Sequence, residues 1–561
     1  MKRRTFVQLM SAATPTSLIS SRVALGTDRK RAAVDTADPT VFVREDFHYL
    51  SGIAPPLVRE DLTKTIDLLV GTAVDTLIFQ LAPRGGMCLF DTRVGQRHGT
   101  NVKKWTHPVN YRDGRHVRQM IAEGWDLPQI FCDRCHEEGM FFIASAHLNI
   151  GSGTTESSRG IGRTSDFVLS NSRFRVGDDP DPRAKNLSPV RLNFMYSQVR
   201  EERLRVLEEL LSRYETDGVE VLTEVLPLCR YNQVNECAVL LTQWLRDLKK
   251  IALKAEEDQN RRKRIFFRVP SNPATWKAVG FDVATWISEG LVDVLICTSN
   301  DPEALDQDLS LSMAVSLARG TPCRVLATTG STLGRKLNSK PNEKMIWAAA
   351  ANAYQQGADG FGLNEFPRTQ EMAFLGDMYE ALRPLASPDL LATADKIYHV
   401  RNQPTSEPSF GSGLPGVEPL VPKILEEGQP QEMPLRVADD LHHWHRLDRL
   451  KSVKLRLRLG NLEPSLNDVR IELNGQPLPE SILEITDLNY RFLREGVAYQ
   501  GSQIYQFLLP PEHYPRRGVN VVTVTLLRKD PEVDMAFTLA DVDCSIQYRL
   551  HRHFDDHPIE Y

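Results

Sequence analysis

Between about residue 40 and residue 390 the sequence alternates short apolar runs with stretches of helical period, and no other feature limits its possible folds so strongly. The apolar runs are strand-length, and the stretches between them are long enough for crossover helices, which is how a parallel sheet is built. Strands are expected over 41–48, 75–81, 141–148, 218–225, 265–270, 293–298, 323–328 and 360–366. Eight parallel strands that close on themselves form a (β/α)8 barrel, the TIM barrel. Helices are expected over 198–214, 236–254 and 343–356, where apolar residues recur at helical spacing opposite a charged face. The junctions Thr216-Asp217-Gly218, Glu289-Gly290 and Gln356-Gly357 place glycine just past a helix, where the C-cap conformation favours it.

After about Arg401 the pattern changes. Residues 401–432 are rich in Pro and Gly and read as a linker between a barrel at 40–400 and a second domain at 433–555. That second domain has period two: 452–459 alternates apolar with basic residues, 467–473 ends at the hairpin signal Asn474-Gly475, and 519–527 and 542–550 follow. Short strands with turn signals and no clear helix predict an all-β sandwich. A chain of 561 residues is long enough for both cores. One barrel connection, 149–192, is unusually long and polar. It follows a strand, so it is expected over the carboxyl end of the barrel as a substrate-covering loop.

Composition excludes several classes. With 41% hydrophobic residues the chain is not a disordered one, and a net charge of -5 without basic runs past the N-terminus argues against a nucleic-acid partner. Eight scattered cysteines are too few for a disulfide framework, and Cys132-Asp133-Arg134-Cys135 lies in a helical stretch without a second ligand pair for zinc. At the N-terminus, Lys2-Arg3-Arg4-Thr5-Phe6-Val7 followed by a mildly apolar stretch fits a twin-arginine export signal over 1–26. Export to the periplasm or the cell exterior is therefore expected, by a route that folds the protein first and lets its cysteines stay reduced. No later segment is apolar enough for a membrane span.

Four pieces of the barrel carry a resemblance: Asp217-Gly218-Val219-Glu220 after the long charged helix, Gly71-Thr72-Ala73-Val74-Asp75-Thr76-Leu77, Phe281-Asp282-Val283-Ala284-Thr285-Trp286-Ile287 and Gly290-Leu291-Val292-Asp293. They resemble the glycosyl-hydrolase-like family 10 proteins, over most of the barrel, and the tail is similar to the sandwich that often follows it. The resemblance implies a barrel of the sugar-cleaving type and leaves the substrate open. Two positions depart from the family pattern. Leu222 stands where an aspartate would follow the strand glutamate by two residues, and Asn149-Ile150 lacks an acid at the next strand end. Both remove carboxylates from the mouth, so a catalytically inactive carbohydrate-binding barrel stays open beside the hydrolase.

Side chains alternate along a strand, so Glu220, Leu222 and Glu224 share one face and Val219, Val221, Thr223 and Val225 the other. The apolar face suits the surrounding helices, which sends the glutamates inward. The same alternation sends Gln80, Ser145, His147, Asn149, Arg268 and Asn364 inward and leaves Glu365 at a strand tip. Glycoside hydrolysis needs two carboxyl groups, one to protonate the leaving oxygen and one to act as nucleophile or base. Glu224 is expected as acid/base and Glu365 as nucleophile or base, with Asp91 and Asp301 in reserve. Gln80, His147, Asn149, Glu220, Arg268 and Asn364 are expected to bind substrate, and Trp105, Tyr111, Trp125, Tyr196, Tyr231 and Phe366 are aromatic residues available for stacking. A third reading is a metal-assisted lyase or hydrolase using His147, Asn149 and Glu220. No P-loop, dinucleotide fingerprint, zinc-protease or serine-hydrolase motif is present, so no cofactor or resident metal is expected. His442-His443-Trp444-His445 has adjacent histidines that rarely converge on one ion. The expected partner is a carbohydrate, and oligomeric state is left open.

Overall fold

A computed structural model describes residues 38–46, 48–83, 86–148, 160–185, 187–223, 226–299, 304–330, 333, 341–364, 376–401, 420–488 and 502–549. The export-signal stretch 1–26 and most of the linker stretch lie outside them. Eight parallel strands close the barrel: β1 (Val41–Glu45), β2 (Thr76–Ala82), β3 (Phe141–His147), β4 (Gly218–Leu222), β5 (Arg264–Pro270), β6 (Val294–Thr298), β7 (Arg324–Thr329) and β8 (Gly360–Asn364). Each pairs with its neighbours in the chain, and β8 pairs with β1 from Val41↔Phe361 to Arg44↔Asn364. All eight expected strands are present. The first is shorter than expected, because His48 already belongs to a short helix, His48–Gly52.

Alternation sorts each strand into an outer and an inner face. Outward residues such as Val219, Val221, Ile265, Phe267 and Val269 join one large core with the helices, while Phe42, Ile78, Ile143, Phe266, Val294, Ile296 and Leu326 form a separate apolar plug inside the barrel. Gly362 has no side chain because Phe42 occupies its space: a Cβ there would lie 2.4 Å from the Phe42 ring. The outer ring includes α1 (Pro108–Ala122), α2 (Leu127–Glu137), α3 (Ser197–Arg213), α4 (Val234–Gln259), α5 (Pro273–Val279), α6 (Val283–Ser288), α7 (Ser312–Ala318) and α8 (Glu343–Gln355). Cys132 and Cys135 are buried on α2, where burial pushes both thiols well up and leaves them inert. No helix among the described residues is long and apolar enough to cross a membrane.

The amino ends of the strands carry a fourfold device. Asp75, Asp217, Asp293 and Asp359 each stand just before an even-numbered strand, and each grips the odd-numbered strand before it. Their carboxylates accept the backbone N–H of Val41 (3.2 Å), Phe142 (2.8 Å), Ile265 (2.9 Å) and Val325 (2.8 Å). Their own N–H groups donate to the carbonyls of those same four residues at 2.8–3.0 Å. Each grip thus satisfies two backbone groups at a sheet end that would otherwise be left without partners.

The carboxyl-terminal part is a pair of antiparallel sheets. One contains β9 (Lys396–His399), β10 (Lys423–Leu425), β12 (Leu450–Gly460), β15 (Leu483–Asp487), β16 (Ser502–Leu508) and β18 (Phe537–Tyr548). The other is ordered β11 (Pro430–Val437), β17 (Gly518–Arg528), β13 (Asp468–Leu473), β14 (Gln476–Pro477). Asn474 and Gly475 make the expected tight turn, both at positive φ (54° and 77°). β9 and β10 pair with β18 although these stretches read as barrel end and linker, and β11, paired with β17, starts at Pro430, three residues ahead of the start expected for the second domain. The barrel and the sandwich meet through a clasp of hydrogen bonds centred on the buried Gln307 and Asn352. Gln307 donates to the carbonyls of Met345 and Ile397 and accepts from the His399 N–H, Asn352 donates to Gln307 and Arg436 carbonyls, and Arg436 pairs with Asp308. Ala348 of α8 belongs to the sandwich core.

Candidate active site

Two residues beyond the apolar plug, the inward position turns polar on strand after strand: Arg44, Gln80, Ser145, Arg268, Thr298, Thr328 and Asn364, all buried, with Glu220 on β4. This layer lies toward the carboxyl ends of the strands, the end where barrels of this type keep their active sites. Glu220 is its centre. Its Oε1 accepts from Arg268 Nη2 (2.8 Å) and Nε (3.2 Å), and its Oε2 from Ser145 Oγ (2.5 Å) and Arg44 Nε (3.4 Å). Asn364 Oδ1 accepts from Arg268 Nη1 (3.0 Å) and Arg44 Nη1 (3.3 Å). The bonds from β1 to β4 and from β5 to β8 join strands that are not neighbours, so the network crosses the barrel interior.

Glu220 is fully buried, and burial alone would push its carboxyl up. The charges of Arg268 and Arg44 and the Ser145 hydroxyl outweigh that and hold it below the ordinary glutamate value. A carboxylate so held is an anchor and a poor proton donor. The adjacent guanidinium groups also disfavour a cation there, which works against the metal reading of Glu220.

The other expected residues distribute as follows. Gln80, His147, Arg268 and Asn364 are inward and buried, as alternation requires. Glu224, Glu365, Asn149, Asp301 and Phe366 lie outside the described residues. The strands that lead to Glu224 and Glu365, β4 and β8, stand four places apart in the ring in either direction, on opposite sides of the barrel. Asp91 forms an ion pair with Arg97 at the surface. Tyr231 is buried under the Arg183 guanidinium (4.1 Å), a packing role, whereas Trp105 and Tyr111 form an aromatic pair (5.8 Å) with Tyr111 exposed. The histidines of residues 442–445 pack on aromatic rings: His442 and His445 flank Tyr514, and His443 packs on Trp444. Among the described residues no cluster has the makings of a metal site.

Sequence reasoning missed Arg44, although it has the same inward parity as Phe42 on β1. It also missed a second polar group in the connections that follow β1, β2 and β3. There Arg163 Nε donates to Asn110 Oδ1 (2.8 Å), and Trp105 fills the space above Gly99, Gly114 and Gly162. Asp113 is fully buried beside them, and neither of its carboxylate oxygens has a hydrogen-bond partner among the described residues. Burial pushes Asp113 up to about 8 against the opposing charge of Arg163, with Asp46 adding to the rise. Burial and Arg163 together push His98 down to about 4. At neutral pH both are uncharged. Asp113 lies on α1 between the charged residues Arg112 and Arg115, a local pattern that does not mark it as buried.

No protein-family model matches the chain, and no curated protein matches it. Solved structures do show likeness. A cycloisomaltooligosaccharide glucanotransferase from Paenibacillus sp. is 11% identical, with 90% of this chain and 56% of that chain covered, at a TM-score of 0.34. The glycoside hydrolase domain of PgaB (BpsB) from Bordetella bronchiseptica is 12% identical, with 62% and 99% covered and a TM-score of 0.37. An alpha-L-fucosidase isoenzyme 2 from Paenibacillus thiaminolyticus is 11% identical, with 64% and 50% covered and a TM-score of 0.40. This chain therefore spans little more than half the length of the glucanotransferase. At these scores the likenesses carry no argument about activity, and the barrel stands on its own strand pairing.

Proposed function

We propose that the chain is an exported glycoside hydrolase that cleaves a poly- or oligosaccharide at the carboxyl mouth of the barrel, with Glu224 as acid/base and Glu365 as nucleophile or base. The observation that carries this reading is the buried Arg44–Glu220–Arg268–Asn364 network. Burying a carboxylate between two guanidinium groups is a poor route to stability, since apolar residues of similar volume do as well or better. Such a network sitting on top of an apolar plug is better explained as a rigid polar floor that orients donors toward a ligand. In that scheme the carboxyl groups reacting with sugar belong to the rim above the floor. The opposed positions of β4 and β8 suit two carboxyl groups on either side of a bound chain. Eight buried free cysteines accord with export of an already folded protein.

The test is reducing-end release from a broad glycan panel. The wild type is expected to release reducing ends, and Glu224→Gln and Glu365→Gln to lower the rate by roughly 100- to 10,000-fold each. One observation favours a second reading, a carbohydrate-binding barrel without catalysis: the inward position above Glu220 is the apolar Leu222. Retention of one glycan by all three proteins, with no release by any, is the result that selects it.

A further inference from the structure

A cavity of about 560 Å³ lies between the barrel and the sandwich, away from the mouth. Its barrel wall is the end of α8, including Tyr354 and Gln355, which leads into the amino end of β8. Opposite lie the short helix α9 (Pro388–Ala392), the helix α10 (Leu441–Arg446) with Asp440, His443 and Trp444, and Arg517 from the sandwich. Its size is within the range of small-ligand pockets, which favour domain junctions.

The floor is fixed and chemically spent. Asp439 accepts from the buried Tyr398 hydroxyl, from the hydroxyl of the partly buried Tyr548 (2.5 Å) and from the buried Lys396 Nζ (3.0 Å). The rim is the reverse. Arg517 is exposed and makes no ion pair or hydrogen bond through its guanidinium among the described residues. Asp440 uses one oxygen to cap α10, accepting from the His443 N–H (2.9 Å), and has no cationic partner among the described residues. Gln355 Oε1 is buried with no hydrogen-bond partner among the described residues. Trp444 is half-buried, held edge-on by Tyr548 (6.2 Å) and packed against His443 (4.9 Å), and its indole N–H has no acceptor among the described residues. Donors (Arg517, Trp444) and acceptors (Asp440, Gln355) therefore surround one cavity beside a fixed aromatic ring. The charges cancel, Arg517 against Asp440 and Lys396 against Asp439. A balanced set of donors and acceptors around an aromatic ring matches a neutral polyhydroxylated ring.

We propose that this cleft is a second saccharide-binding site, separate from the barrel mouth, that takes a neutral pyranose unit and so anchors a glycan to the junction of the two domains. The inference rests on the carbohydrate reading of the chain, but not on catalysis at the mouth. The test titrates the full chain calorimetrically with cellobiose, maltose, xylobiose and N,N′-diacetylchitobiose, and with galacturonic acid as the charged control. The titrations are repeated on Trp444→Ala and Arg517→Ala, alongside reducing-end release by the wild type. At least one neutral disaccharide is expected to bind, about tenfold more weakly to Trp444→Ala and about fivefold more weakly to Arg517→Ala. Arg517 holds no other group in place among the described residues, so its variant separates loss of binding from loss of fold, which circular dichroism monitors in both. Binding that neither substitution weakens, binding of galacturonic acid alone, or no binding at all would overturn the cleft assignment. Glycan release by the wild type alongside any of these leaves the hydrolase reading standing. Cleft binding without release by the wild type removes the hydrolase reading and keeps the cleft.

Discussion

Glu220 shows how much one residue's role depends on what lies across the barrel from it. Removing its charge leaves Arg268 and Arg44 buried beside a neutral group, so Glu220→Gln is expected to destabilise the protein by about 3–5 kcal/mol, measured by urea denaturation at pH 7. Its carboxyl is depressed in the folded state, so its contribution is present above the unfolded value near pH 4 and is lost as pH falls through the folded value. Asp113 has the opposite sign. Its folded value of about 8 lies above its unfolded one, so no penalty exists below about pH 4, and a growing one develops up to about pH 8. Asp113→Asn is therefore expected to flatten the loss of stability between pH 5 and 8, read as melting temperature against pH; an unchanged slope would count against a buried neutral Asp113. Residue parity was legible from sequence, since Glu220, Arg268 and Asn364 are inward as alternation required. The pairing was only half legible: Arg268 is the obvious partner of an inward Glu220, but Arg44 comes from 176 residues away.

At the scale of elements, the residues that carried the family resemblance have a structural explanation. Asp75, Asp217 and Asp293 belong to those pieces, and each is one of the four aspartates that tie an odd-numbered strand to the next even one. Gly218 in the same pieces is needed because a Cβ there would lie 2.0 Å from the Arg264 carbonyl oxygen, at φ +153°. The resemblance is therefore in large part a barrel signal, centred on the amino ends of the strands with Glu220 reaching toward the mouth, and it reaches the fold without naming a substrate. Each Asp→Ala substitution at these sites is expected to cost about 1–3 kcal/mol. Asp217→Ala should cost most, because Asp217 also holds Arg261 (2.9 Å) and His136 (2.9 Å) in the same buried corner. Denaturation of the four variants side by side checks the order. Gly362→Ala should cost about 1–3 kcal/mol by overpacking against Phe42, and Phe42→Leu in the same chain should recover part of it.

At the scale of the whole molecule, barrel and sandwich share buried hydrogen bonds through Gln307 and apolar packing at Ala348, so they are expected to unfold together. Fluorescence and circular dichroism should report one coincident transition in denaturant, and Gln307→Ala with Asp308→Ala should split it into two. Strand and helix periods, the Asn474-Gly475 turn and the order of elements are local properties, each set by residues a few positions apart, and they are legible in the chain: eight strands alternating with helices, followed by a β domain. The sequence also determined which side of each strand faces inward, because that needs only alternation. Every relation between distant segments is instead fixed by folding. The attachment of β9 and β10 to β18, the clasp at Gln307, the four aspartate grips and the meeting of Arg44 with Glu220 join residues far apart in the chain. Local pattern carries no information about which distant groups meet. The energy of those contacts arises only once closure of the barrel removes water and brings the groups within hydrogen-bond reach.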